Sequence, residues 1–211
     1  MNGGTGYLGR PLTSLALSRG HQVTVFVRRG SEARVPAGAA VVTGNAFSID
    51  ELAATLSPTD TLVHLIGTPR PSPAKAQQFR DIDLASIAAA SSAAARARIA
   101  HLVYVSVAHP APMMQAYIEV RTQGEAMVVA SGIASTILRP WYVLGPGHWW
   151  PYVLVPAYWL YERIPSKREA ARRLGLVTHR QMITALMRAI EDGPQGHRVL
   201  DVPAIRASTL G

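Results

Sequence analysis

Leu8, Leu12 and Leu15 recur at i, i+4 and i+7, an apolar stripe that predicts a helix from about Gly6 to Arg19, with Gly20 as its left-handed stop. Gln22-Val23-Thr24-Val25-Phe26-Val27 is β-branched or apolar almost throughout, the composition of a strand covered on both faces, and it ends at Arg28 and Arg29. Val41-Val42 predicts a short strand. Ser48 and Glu51 have capping-box spacing and open a helix over Ile49 to Leu56. Thr61 to Ile66 predicts another apolar strand ending at Gly67, and Thr68 to Ala74, with three prolines, a loop.

Further on, the alanine-rich run from Phe79 to Ala100 predicts a long helix, and His101 to Ser106 a strand. Tyr117, Val120, Gly124, Met127 and Val128 keep a helical rhythm that Gly132 can stop. Ser135 to Leu138 reads as a strand closed by Pro140, and Leu176-Val177 as a short one. Thr178 with Gln181 makes a second capping box before a helix over Met182 to Ile190, and Val199 to Val202 is the last expected strand. Strands alternating with helices predict an α/β, doubly wound parallel sheet of Rossmann type. At 211 residues this is one domain, with a small substrate-side region around residues 141–175.

Gly3-Gly4-Thr5-Gly6-Tyr7-Leu8-Gly9 places glycines three apart at the mouth of the first helix. The first permits a tight turn, the second lets the backbone approach a pyrophosphate, and the third lets helix and strand pack closely, while the helix N-terminus offers N–H donors and partial positive charge. In such folds this loop follows the first, central strand, yet only Met1 and Asn2 precede Gly3. The central strand is therefore expected to be truncated, with about five or more residues of it lying upstream of Met1. Nineteen positions beyond Gly9 stands Arg28, where a carboxylate would bond the ribose 2′-hydroxyl of NAD(H) and a guanidinium suits the 2′-phosphate of NADP(H). Arg28, with Arg29, favours NADP(H) over NAD(H); the alternative is two solvated arginines at a strand end.

Charge and composition narrow the partners. The net charge of +8 would suit nucleic acid, anionic lipid or a phosphorylated ligand. The arginines are dispersed, however, and the one cluster, Lys167, Arg168, Arg172 and Arg173, is broken by Glu169 and has no interleaved aromatics, which argues against nucleic acid. With no cysteine there is no disulfide, zinc-thiolate or thiol chemistry. No histidines pair at i, i+4 for a metal, and His64 reads as a core residue rather than a ligand. No apolar run reaches the ~20 residues needed to span a bilayer, and the opening residues form no signal peptide, so a cytoplasmic location is expected.

The glycine loop, Gly44-Asn45-Ala46, Ser106, Tyr117 with a basic residue four later, and Leu138-Arg139-Pro140 together resemble the short-chain dehydrogenase/reductase superfamily, and within it the atypical NmrA-like branch that includes nucleotide-binding accessory subunits of respiratory complex I. The resemblance runs from Gly3 to about Val202. It implies that Asn45 and Ala46 lie by the adenine, Ile66 and Gly67 by its ribose, and Pro140 to Val143 by the nicotinamide. It also implies Tyr117 as proton donor, Arg121 in the place of the lysine that lowers the tyrosine pKa and binds the nicotinamide ribose, and Ser106 as the group that orients a substrate carbonyl. Arginine is permanently charged and can supply electrostatics but relays no proton. The same trio also reads as a buried tyrosine, a surface arginine and a strand-end serine.

His148 to Tyr161 concentrates three of the four tryptophans beside two prolines. A substrate lid, a surface for a membrane interface or partner protein, and a core helix all fit this stretch. Two functions follow: an NADP(H)-binding reductase acting on a small apolar carbonyl substrate, or a non-catalytic NAD(P)H-binding regulatory or accessory subunit that docks on a protein partner or membrane.

Overall fold

A computed structural model of the chain describes residues 1–145 and 173–210. Helix α1 (Gly9–Ser18) leads into β1 (Thr24–Val27), β2 (Ala40–Thr43), α2 (Ile49–Ala53) and β3 (Thr61–His64). A helical stretch then runs through α3 (Ala76–Gln78), a π-helical turn (Phe79–Leu84) and α4 (Ala85–Ala97), followed by β4 (His101–Val105), α5 (Gln115–Ala130), β5 (Ser135–Leu138) and β6 (Tyr142–Leu144). Beyond the undescribed residues come β7 (Leu176–Thr178), α6 (His179–Asp192), β8 (His197–Leu200) and α7 (Val202–Ala207). The aromatic stretch His148 to Tyr161 lies outside the described residues.

Strands β3, β4, β5 and β8 pair in that order, all parallel, with Thr61 opposite His101, Leu102 opposite Ser135, and Ser135 opposite His197. Strands β1 and β2 form a second parallel pair, Thr24 opposite Ala40. Asn2 bridges both halves, parallel to Phe26 on one side and His64 on the other. Its N–H donates to the Val63 carbonyl at 2.9 Å, its carbonyl accepts from Leu65 N–H at 3.0 Å, and Phe26 N–H donates to the Met1 carbonyl at 3.0 Å. The central position of the sheet, expected to be truncated, is thus held by Met1 and Asn2, and beyond Met1 a cleft of about 300 Å³ runs between Thr24 and the stretch Thr61 to Val63.

Both faces of the sheet are covered, as an apolar parallel sheet requires. On one face Leu12 and Ala16 of α1 pack with Met182 and Leu186 of α6 over Val63, Val103 and Leu138. On the other, Ile87, Ala90 and Ala94 of α4 and Val128 of α5 pack on Leu62, Leu102, Tyr104 and Ile137. Truncating a fully buried leucine such as Leu12 or Leu102 costs about 2–5 kcal/mol.

Several boundaries differ from the expected ones for identifiable reasons. Helix α1 begins at Gly9 rather than Gly6, because Gly3 to Leu8 is spent on the turn. The expected helix from Phe79 to Ala100 starts earlier, widens into the π-turn and stops at Arg98, which adopts φ 52°. Alanine content predicts helicity but is blind to such a local widening. The capping box at Ser48 is half made: its side chain accepts from Glu51 N–H, while the Glu51 carboxylate accepts instead from Asn45 N–H at 2.8 Å. Thr178 and Gln181 form the complete box. Val202 belongs to a helix and not to the last strand, because the Asp201 side chain accepts from Ala204 N–H at 3.0 Å with Pro203 in the first turn. Strand β6, within the expected substrate-side region around residues 141–175, pairs with β7.

Candidate functional site

The glycine loop crosses the sheet at its central seam. Gly3, at φ 80°, turns so tightly that a Cβ there would lie 2.9 Å from the Leu65 carbonyl carbon. A Cβ on Gly9 would overlap the Gly3 carbonyl and come within 2.6 Å of Gly4 Cα. Gly6 N–H donates to the Gly3 carbonyl at 3.0 Å and Arg10 N–H to the Gly6 carbonyl at 3.1 Å, closing the turn into α1. Among the described residues no side chain caps α1 and no acid stands in its first turn, so its partial positive charge is not offset there. From the far end of the chain, His179 Nε2 donates to the Tyr7 carbonyl at 3.1 Å and its ring stands edge-on to the Tyr7 ring at 4.6 Å. Leu8 and Thr5 are half-buried in the same loop.

Around this loop lie the nucleotide-side candidates. Arg28 and Arg29 are exposed beyond β1, and among the described residues neither guanidinium makes a hydrogen bond or ion pair. Asn45 is folded back, its Oδ1 accepting from Phe47 N–H at 3.1 Å, and Ala46 packs beside Phe26 and Leu52. Ile66 is half-buried, whereas Gly67 sits directly against the Arg121 guanidinium, which a Cβ there would overlap. The Pro140 carbonyl accepts from Ala108 N–H at 2.9 Å, and Val143 packs at the edge of the main core.

The tyrosine side is built of charge. Tyr117 is half-buried with its ring 4.9 Å from that of Phe79, and the Arg121 guanidinium carbon lies 5.1 Å from the Tyr117 ring centre. Arg121 is buried rather than at the surface. Its Nη2 donates to Asp83 Oδ1 at 2.5 Å, and its Nη1 to the Val105 carbonyl at 2.9 Å and the Tyr104 hydroxyl at 3.4 Å. Asp83, fully buried, also accepts from Thr68 N–H at 2.9 Å and the Thr68 hydroxyl at 2.6 Å through Oδ2. Burial works against the charge on Arg121, but Tyr117, Tyr104 and Asp83 together more than compensate and hold it protonated. Burial pushes the Tyr104 hydroxyl up, against the opposing pull of Arg121.

Ser106, directly after the Val105 carbonyl that Arg121 grips, is buried, and its hydroxyl has no partner among the described residues. Ser106 and Tyr117 are not hydrogen-bonded to each other there. An orphaned hydroxyl at a strand end is costly unless a ligand engages it. One helical turn beyond Arg121, the buried Glu125 pairs with both Arg139 Nε, at 2.9 Å, and Arg139 Nη2, with His109 Nε2 at 3.6 Å. Burial, aided by Arg121, drives His64 down to a pKa of about 3, and burial drives His101 to about 4. Both are neutral core residues at neutral pH. Among the described residues no group of His, Asp and Glu could hold a metal ion, and no helix is long and apolar enough to cross a membrane.

Sequence spacing missed Asp83, Phe79, His179 and the Glu125–Arg139 pair. No periodicity links Asp83 to a guanidinium 38 positions away, or Tyr7 to a histidine 172 positions away.

A family profile described as NAD(P)H-binding matches residues 3–146. No curated protein matches the chain. Among solved structures, MoeE5 in complex with UDP-glucose and NAD is similar at 18% identity and TM-score 0.69, over 97% of this chain and 78% of that one. UDP-N-acetylglucosamine 4-epimerase from Bacillus cereus is similar at 15% identity and TM-score 0.67, over 95% and 76%. A short-chain dehydrogenase/reductase superfamily protein from Agrobacterium tumefaciens with bound NAD is similar at 16% identity and TM-score 0.67, over 97% and 79%.

Proposed function

The chain belongs to the NAD(P)H-binding family, and on that premise we propose that it binds NADP(H) in preference to NAD(H) and reduces a small apolar carbonyl substrate. The observation that carries the cofactor half is the pairing, among the described residues, of an uncapped α1 N-terminus behind Gly3, Gly6 and Gly9 with two unengaged guanidinium groups, Arg28 and Arg29, at the end of β1. Glycine at positions 3 and 9 lets the loop backbone pack directly on Leu65 and Gly3, and a tight turn of this kind ahead of a helix N-terminus suits a pyrophosphate. Arg28 with Arg29 then receives the 2′-phosphate, Asn45 and Ala46 flank the adenine, Ile66 and Gly67 its ribose, and Pro140 to Val143 the nicotinamide.

Bound NADPH would supply a hydride. The chain's own part is the proton and its placement. Ser106, whose buried hydroxyl lacks a partner among the described residues, donates to the carbonyl oxygen. Tyr117 supplies the proton to that oxygen, and Arg121, 5.1 Å from the ring, provides a fixed positive charge toward the phenolate left behind.

A second reading has its own observation. Arg121 is committed to Asp83, Val105 and Tyr104, so it is not free to grip a nicotinamide ribose as a surface cation would. This favours an NAD(P)H-binding protein that holds the cofactor without turning it over, in a regulatory or accessory role.

The deciding experiment is a fluorescence titration with NADPH and NADH. NADPH is expected to bind more tightly, and Arg28→Ala to weaken it about ten- to a hundredfold with NADH unchanged, the loss of one charge-assisted contact. Absence of binding to either nucleotide overturns the proposal. If NADPH binds, its consumption with apolar aldehydes and ketones, abolished in Tyr117→Phe with binding intact, separates reductase from carrier.

A further inference from the structure

The π-turn Phe79–Leu84 delivers two fully buried side chains, four positions apart, to one tyrosine. Phe79 stands against the Tyr117 ring at 4.9 Å, and Asp83 binds the guanidinium that lies 5.1 Å from the same ring. Helices widened in this way recur at functional sites, because the extra residue in the turn redirects side chains that a regular helix would point elsewhere.

We propose that Asp83 and Phe79 are positioning residues for the Tyr117–Arg121 pair: Asp83 fixes the guanidinium and cancels much of its charge, and Phe79 fixes the ring beside it. This rests on the reading of Tyr117 as the acid.

Both oxygens of Asp83 are engaged. Its two oxygens divide cleanly, Oδ1 to Arg121 and Oδ2 to the N–H and hydroxyl of Thr68, so the carboxylate ties the loop after β3 to helix α5. Arg121 in turn holds the end of β4 through the Val105 carbonyl. Gly67 clears the space between, since any side chain there would strike the guanidinium. The charged and titratable groups around the pair are Asp83 from the π-turn, Tyr104 from β4, His64 from β3 and Tyr117 from α5 itself. Of these only Asp83 carries charge opposite to Arg121 at neutral pH. How strongly Arg121 favours a Tyr117 phenolate is therefore set by Asp83.

The test needs neither cofactor nor substrate, so it is independent of whether NADPH binds or is consumed. Tyrosinate absorbance is followed against pH in the parent and in Asp83→Asn, each compared with the same chain carrying Tyr117→Phe to isolate the Tyr117 signal. Asp83→Asn is expected to move the Tyr117 phenolate to lower pH by about one unit, because the guanidinium's field is no longer cancelled. Adding Arg121→Gln to Asp83→Asn removes both charges while keeping polar groups of similar shape, and is expected to return the curve to near that of the parent. A folded Asp83→Asn whose curve superimposes on the parent's overturns the proposal and leaves Asp83 a purely structural ligand. A double variant shifted as far as the single one overturns it as well. Should Asp83→Asn fail to fold, the double variant is set against Arg121→Gln alone: a Tyr117 curve at higher pH in the single variant supports the opposition of the two charges, and superimposed curves refute it.

Discussion

The two sides of this sheet carry the two halves of the proposed site, and they are built of different materials. At the glycine loop the work is done by backbone. Gly3 and Gly9 allow main chain to lie on main chain, and no charged side chain is buried among Gly3 to Gly9. At the tyrosine side the work is done by buried charge, with Asp83 against Arg121 and Glu125 against Arg139 along α5. The first arrangement demands small residues at fixed spacing. The second demands partners far apart in sequence, each of which is a liability if the other is lost.

That asymmetry is sharpest under truncation. Arg121→Ala leaves the Asp83 carboxylate buried with only Thr68 to satisfy it, and is expected to cost about 3–5 kcal/mol in denaturant unfolding. A loss under about 1 kcal/mol would mean that water reaches Asp83 and that the tyrosine side is not built on charge.

Acid is a second probe, and the sign follows from burial. The unfolded chain protonates His64 and His101 near the ordinary value of 6.5, whereas the folded chain refuses those protons until about 3 and about 4. Both folded values are depressed, so the stability is present above pH 6.5 and is lost as pH falls below it. Each of these two buried histidines contributes a slope of up to about 1.4 kcal/mol per pH unit between its folded and unfolded values. Because Arg121 helps to depress His64, His64→Gln should flatten the acid limb of a thermal-melt series; an unchanged limb would place the titrating groups elsewhere.

Gly9→Ala strikes the backbone side alone. Its Cβ meets the Gly3 carbonyl and Gly4 Cα, so the loop must move, at about 1–3 kcal/mol of stability. NADPH affinity should fall more than about tenfold, since a displaced loop loses charge-assisted N–H contacts to the pyrophosphate. The tyrosinate titration should stay put. A variant that binds as the parent does would show that the close approach at Gly9 is packing without consequence for the ligand.

The same asymmetry explains what was legible in the sequence. The parallel α/β alternation was readable because Leu8, Leu12 and Leu15 and the runs through Val25 and Val63 carry their own periodicity. The glycine loop was readable because its requirement is local. Arg121 reads in the sequence either as standing in place of the lysine or as a surface arginine, and nothing in its neighbourhood in sequence signals burial; its partners Asp83 and Val105 meet it only through the tertiary fold. The π-turn was hidden inside an alanine-rich helix, and α7 behind the β-branched look of Val199 to Val202, which an Asp201 cap overrides. The bridges that Asn2 makes to Phe26 and His64 could not be read from a pattern over two residues.

The smallest expected effect is also the most direct control, because an exposed carboxylate–guanidinium pair elsewhere in the molecule can be set against the buried one. Asp50 at the start of α2 meets Arg96 near the end of α4, with side chains 81% and 62% exposed. Chemically it matches Asp83–Arg121, whose side chains are 0% and 6% exposed. In water the ions are already solvated, so holding them together gains little, and a double-mutant cycle on Asp50 and Arg96 should return a coupling of about 0.2–1 kcal/mol that shrinks with added salt. The same cycle on Asp83 and Arg121 should return several-fold more and stay insensitive to salt, since neither ion can be rehydrated without opening the fold. Equal couplings would mean that contact, not burial, sets the strength of these pairs, and the distinction between the two sides of the sheet would then rest on the glycines alone.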